Sequence, residues 1–196
     1  MKAELLLDLC NQALDRKSAA EALALAEAAQ GIYEGAGAYV APADVANAYQ
    51  GIAHALRKLD RNQDAIEVIG KAIEILRERQ DPYVDNLLRT RAIWCNQAGD
   101  WEGALQSNLE TIRLNEIDGN TEWEAKSWVS AGITYMNTSN QREAIKCLLR
   151  ARELFKAMKM LPDVGRCDTQ LSDAYCHLED FDNAYSHATK ALHVPN

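Results

Sequence analysis

With 196 residues, 47% of them hydrophobic and 26% charged, the chain has an ordinary globular composition and enough length to bury a sizeable core. Its 21 Lys and Arg stand against 29 Asp and Glu, and a net charge of −8 makes it a poor general ligand for nucleic acid or anionic membrane, so neither is expected as a partner. Five cysteines with no C-x-x-C pair argue against a disulfide framework or a zinc site; no metal and no cofactor is expected.

Glu4 and Asp8 interrupt what would be the apolar core of a secretory leader, and no later segment nears the roughly eighteen apolar residues of a membrane span. Buried thiols in a reducing cytoplasm are therefore the expectation. From there the chain reads as five similar units of a single domain over 1–196. The first, about 3–37, carries Cys10, a polar turn Asp15-Arg16-Lys17-Ser18 and a second run opened by Glu21-Ala22. From Ala19 to Ala29 that run is apolar nearly all round, whereas a terminal hairpin ordinarily shows a polar outer face. The second unit, about 43–80, carries Ala53, a turn at Leu59-Asp60-Arg61-Asn62 and the pair Asp64-Ala65. In the third, about 82–118, come Ala92, Ala98-Gly99-Asp100-Trp101 and Gly103-Ala104. The fourth, about 121–160, has Gly132, Thr138-Ser139-Asn140-Gln141 and Glu143-Ala144; the fifth, about 162–194, has Ser172, Leu178-Glu179-Asp180-Phe181 and Asn183-Ala184.

The anchor alanines Ala22, Ala65, Ala104, Ala144 and Ala184 are 43, 39, 40 and 40 residues apart. Twelve positions before each stands a small residue, and ten after it Ile32, Ile75, Leu114, Leu154 or Val194. Small residues at fixed points on two helices let backbones approach, and larger apolar residues a turn away fill the space between hairpins. Ser, Asp and Asn in the turns are expected to cap the second helices; Gly and Pro between units (Glu34-Gly35-Ala36-Gly37-Ala38, Asp81-Pro82, Asp118-Gly119-Asn120, Leu161-Pro162-Asp163) are expected to stop the first. About ten helices follow, with no strand pattern.

Residues 131–155, AGITYMNTSNQREAIKCLLRARELF, and 55–76, ALRKLDRNQDAIEVIGKAIEIL, resemble the tetratricopeptide repeat family. The beat exceeds the usual thirty-four residues, which is similar to the long-repeat branch seen in kinesin light chains and bacterial regulators; 115–128, NEIDGNTEWEAKSW, resembles that branch most. Arg91 and Asp168 depart from the pattern in columns that are otherwise apolar, as does Asn108, which stands where Ile69 and Leu148 stand elsewhere. The resemblance implies an all-α solenoid of about five antiparallel hairpins in a right-handed superhelix.

It also implies that the inner face is lined from positions 18, 15, 11 and 8 before each anchor, one helix face by spacing. Those positions are Asn47, Gln50, His54 and Arg57 in the second unit, and Asn86, Arg89, Ile93 and Asn96 in the third. They are Lys126, Val129, Ile133 and Met136 in the fourth, and Arg166, Thr169, Asp173 and Cys176 in the fifth; Glu4, Leu7, Asn11 and Leu14 of the first look less like a groove. Four of these twenty positions are basic and two acidic, inside a net acidic chain. Such a lining suits an extended peptide, amides meeting its backbone and Arg or Lys its carboxylates. Solvated surface charge is the plain alternative.

Cys176 and His177 are adjacent and diverge by about 100° on a helix, so no thiol–imidazole pair forms and no catalytic residue is assigned. The four histidines lack metal-ligand spacing and suit surface or turn positions. Trp101 and Trp128 fit packing columns, and Trp123, at a loop, suits an exposed contact. The expected function is a cytoplasmic scaffold or adaptor that binds a protein or peptide, one that is acidic on the charge argument. The alternatives are a sensory module that changes shape on binding a peptide or small ligand, and an oligomerisation unit dimerising through its terminal hairpins.

Overall fold

A computed structural model describes residues 2–36 and 41–193. The expected linker residues Gly37 and Ala38 and the terminal Val194-Pro195-Asn196 lie outside them. Every described element is an α-helix: α1 Lys2–Asp15, α2 Ala19–Ala36, α3 Pro42–Lys58, α4 Asn62–Glu78, α5 Val84–Ala98, α6 Trp101–Asp118, α7 Thr121–Asn137, α8 Gln141–Ala157, α9 Leu161–His177 and α10 Phe181–Leu192. They form two compact units, Met1–Trp94 and Cys95–Asn196.

In each unit the anchor alanines are buried. A Cβ on Gly132 would stand 2.9 Å from Leu148 Cγ and 3.4 Å from the Ala144 carbonyl, so only glycine fits at the α7–α8 crossing. The same column holds Ser172 in α9, whose hydroxyl donates to the Ala184 carbonyl of α10 at 2.9 Å. In the first unit Ala29 and Tyr33 of α2 pack with Ala48 of α3. In the second, Ala151 and Phe155 of α8 pack with Val164 and Cys167 of α9, and Ile145 and Leu148 with Leu171 and Ala174. Each fully buried Leu, Ile or Phe contributes about 1.5–3 kcal/mol of transfer free energy.

Eight described turns stop their helices alike. One residue takes a left-handed backbone: Lys17, Asp60, Gly99, Ser139 and Glu179 at one set of turns, Gln80, Gly119 and Lys159 at the other. The following N–H then donates to a carbonyl five residues back, as Ser18 to Ala13, Arg61 to Leu56, Asp100 to Cys95 and Met160 to Phe155. This satisfies carbonyls that a helix end strands. Of the three turns between units, Gly119 ends its helix as expected, whereas Gln80 and Lys159 do so ahead of Pro82 and Pro162, which corrects the expectation there. Pro42 and Pro162 instead open α3 and α9, where a missing N–H costs nothing. Capping is selective as well. The Asp100 and Asp180 carboxylates accept from the N–H groups of Gly103 and Asn183, while Asn120 and Asn140 make no side-chain cap.

Candidate functional site

Each unit carries a cleft lined by residues of the predicted stripe. In the first unit α1 and α3 flank a cleft of about 460 Å³, where Asn47, Gln50 and His54 meet Glu4, Leu7, Asp8, Asn11, Tyr33 and Asp44. The first helix, expected to contribute little, supplies two of its three carboxylates, and no Lys or Arg lines it. Burial, with Asp44 and Glu4 adding, pushes the Tyr33 hydroxyl above its ordinary pKa. Gln50 is already engaged, its amide oxygen accepting from the Tyr83 hydroxyl at 3.3 Å. Gly51 belongs to the same wall: a Cβ there would stand 3.3 Å from Ala26 Cβ.

Beside this cleft His54 packs edge-on to Trp94, ring centroids 5.1 Å apart, and the Arg57 guanidinium lies 5.0 Å above the same indole. Burial holds the His54 imidazole below its ordinary pKa although part of the ring reaches solvent, and the nearby Arg57 and Lys58 cations add to the shift. Arg57 is thereby spoken for in part by a cation–π contact. On α5, Asn86 and Ile93 are exposed, and Arg89 is half-buried with its Nε 3.2 Å from Asp85.

The second unit's cleft, about 480 Å³, is of another kind. Lys126, Val129, Ile133, Arg166 and Thr169, all predicted stripe residues, converge here from α7 and α9. Phe155 closes the floor, and Asp163 and Gln170 complete the lining. Two cations thus stand over an aliphatic and aromatic surface. Lys126 Nζ donates to Glu122 at 2.6 Å and lies 4.1 Å over the Trp123 ring, and Arg166 donates to Asp163. Trp123, expected at a loop, lies in the first turn of α7 and is half-buried. Asn96 is half-buried too, its amide oxygen accepting from the Thr134 hydroxyl at 2.9 Å.

Asp44, Tyr83, Trp123 and Asp163 all stand 21 positions before their anchors, one turn further along the stripe, and were not assigned to it. Three contact stripe residues directly: Tyr83 meets Gln50, Trp123 meets Lys126, and Asp163 meets Arg166. Extending the i, i+3 spacing by one step finds them.

The expectation that all four histidines occupy surface or turn positions fails at His187. It is buried in α10, its Nδ1 donating to Asp168 Oδ1 at 2.6 Å, with Tyr175 stacked on its ring. Arg152 Nε donates to the same oxygen at 2.8 Å, which explains how Asp168 occupies an otherwise apolar column. Burial pushes the Cys147 thiol up to about 11 and the Cys167 thiol up to about 12. All five cysteines are free, Cys176 alone exposed, and among the described residues no group of three or more His, Cys, Asp and Glu is placed to hold a metal ion. No described helix is long and apolar enough to cross a membrane.

Hairpins of this length, stacked in register with a cleft between consecutive first helices, define an all-α solenoid-type repeat protein. Residues 46–77, spanning most of α3 and α4, match the sequence model of the tetratricopeptide repeat. No curated protein matches the chain significantly. Its fold is shared with BtubC (BKLC) from P. vanneervenii, at 17% identity and a TM-score of 0.80, covering 97% of this chain and 78% of that one. A putative kinesin light chain from Podosopora anserina with nearly identical TPR-like repeats gives 14% and 0.79, covering 99% and 96%. The apo form of RapI gives 14% and 0.85, covering 98% of this chain and 53% of that one. Residues 46–77 thus carry the sequence of a tetratricopeptide repeat, and the chain has the all-α solenoid fold that these repeat structures share.

Proposed function

We propose that this protein is an adaptor whose α7–α9 cleft holds a peptide segment bearing an apolar side chain next to carboxylates. The observation that carries this reading is the pairing of an apolar surface (Val129, Ile133, Phe155) with Lys126 and Arg166 at its rim. The apolar side chain gains by leaving water, and the cations select acidic neighbours through charge-assisted hydrogen bonds. Their present partners, Glu122 and Asp163, are local pairs of the kind worth little individually, so a ligand carboxylate competes with them readily. Holding rather than catalysis is supported by thiols kept protonated by burial. A reducing cytoplasm fits five unpaired cysteines.

Peptide display against the immobilised chain tests the reading. Selected sequences are expected to place an aliphatic or aromatic residue beside Asp or Glu. Their binding should weaken about 10- to 100-fold in Lys126→Glu/Arg166→Glu and similarly in Ile133→Asp. Peptides that bind both variants as well as the wild type would refute it. Small-angle scattering with and without a selected peptide separates a static adaptor from the sensory alternative, which requires compaction.

A further inference from the structure

α1 and α10 each leave exposed an apolar stripe whose matching apolar residues in the other units are buried or half-buried. On α10, Phe181, Tyr185 and Leu192 are 67%, 76% and 84% exposed. With Ala188 they fall at i, i+4, i+7 and i+11, one face of the helix. The Tyr185 column holds Ile66 of α4 and Ile145 of α8, both buried, and Leu23 of α2 and Leu105 of α6, both half-buried; the Leu192 column includes Ile73 of α4 and Ile112 of α6, both buried. On α1, Leu5 and Leu9 are 59% and 40% exposed. Leu5 shares its column with Ala48, Leu87, Ser127 and Cys167, and Leu9 with Ile52, Ala131 and Leu171, every one of them buried.

These two stripes correspond column by column to the two sides of the α8–α9 interface. In the second unit Leu148 of α8 packs with Leu171 of α9, while Ala151 and Phe155 pack with Cys167. Moved into register, Leu148 becomes Ala188 and Leu171 becomes Leu9; Ala151 becomes Ala191 and Cys167 becomes Leu5. The polar pair of the α8–α9 interface changes in step. Arg152, which donates to Asp168, corresponds to Leu192, and Asp168 corresponds to Leu6. An ion pair is thus replaced by two leucines, both members together, where changing one alone leaves a buried charge.

We infer that α10 of one molecule docks on α1 of a second copy, in the register that α8 and α9 adopt within the chain. The contact is heterologous: each copy keeps one free α1 and one free α10 face, so association continues head-to-tail past the dimer rather than stopping at a symmetric pair.

Sedimentation velocity over a wide concentration range tests this. The wild type should grow with concentration past the dimer. Tyr185→Glu/Leu192→Glu and Leu5→Glu/Leu9→Glu alter only uncovered positions, and circular dichroism should show helix content unchanged. Each variant alone should sediment as a single chain, with association weakened at least about 100-fold. An equimolar mixture should form a complex of two chains and nothing larger, since one intact α1 face and one intact α10 face remain. A wild type that stays a single chain at every concentration overturns the inference and leaves the faces to other proteins. So does either variant forming dimers alone, which would mean a symmetric contact, or a mixture that does not associate.

Discussion

The two units place their polar residues in opposite places. In the first, the helix α4 buries Ile66, Ile69, Ile73 and Leu76, and the cleft beside it is polar and acidic, with Glu4, Asp8 and Asp44 in its lining. In the second, α6 buries Ser107, Asn108, Thr111 and Asn115, and Asp168 and His187 are buried between α9 and α10, while the cleft is apolar and edged with cations. The hairpin repeat asks only that a small residue and a side chain of suitable volume occupy certain columns. Polarity in the packing columns is tolerated where partners exist: the Ser107 and Thr111 hydroxyls and the Asn115 amide all donate to carbonyls one turn back. The cleft chemistry is then free to differ, and the two clefts carry opposite charge: carboxylates line one and cations edge the other.

The largest expected effect breaks this contrast from the first unit. Ile69→Asn puts an amide into a fully buried column with no partner and should lose about 3–5 kcal/mol in urea unfolding. The reverse exchange at the matching position, Asn108→Leu, should stay within about 1 kcal/mol of wild type, because the Asn108 amide reaches Thr134 only at 3.5 Å. Equal losses from both would show that the column demands a specific residue rather than a volume. Next comes Asp168→Ala, which strands His187 and Arg152. About 2–3 kcal/mol should be lost, less than for a fully buried pair because Arg152 reaches solvent.

A smaller effect should be shared by both units, since they use the same turn. Lys159→Gly should raise stability by up to about 1 kcal/mol and Gly99→Ala lower it by about 1 kcal/mol, by thermal or urea unfolding, because both residues are held at positive φ. The smallest is electrostatic and local to the first unit. The NMR titration midpoint of His54 should fall below 6.5. Arg57→Gln should raise it only part of the way, burial being the larger cause. A base with a depressed folded pKa binds fewer protons than the unfolded chain, so stability at this site is present above 6.5 and declines as pH falls through the window beneath it.

Much of the fold was legible because its causes are local. The apolar period of 3.6 residues and the recurring anchor alanines locate ten helices, and the polar quartets at Leu59–Asn62 and Thr138–Gln141 locate turns. The manner of stopping was less legible. Lys17, Gln80 and Lys159 carry no marker of a left-handed backbone, and they adopt it because it lets the next residue's N–H reach the carbonyl five residues before that residue. In the cleft of the second unit, Lys126, Val129, Ile133, Arg166 and Thr169 stand at the inner-face positions that the family resemblance implies, and their spacing puts those of each helix on one face. Phe155 did not, since it comes from a second helix, and neither did the carboxylates Asp44 and Asp163, one turn beyond the stripe.

The sequence by itself determined that this chain makes helical hairpins in one register, because helix periodicity, small-residue columns and turn composition act within a few residues of one another. It also determined which residues share a face. Only the tertiary structure decided what each face is. His187 is buried because Asp168, nineteen residues away, supplies its partner; Arg57 is drawn onto Trp94 of another helix; and the two clefts take their character from residues brought in by neighbouring helices. Those are long-range contacts, set by packing, and no local pattern encodes which of them a given side chain will meet.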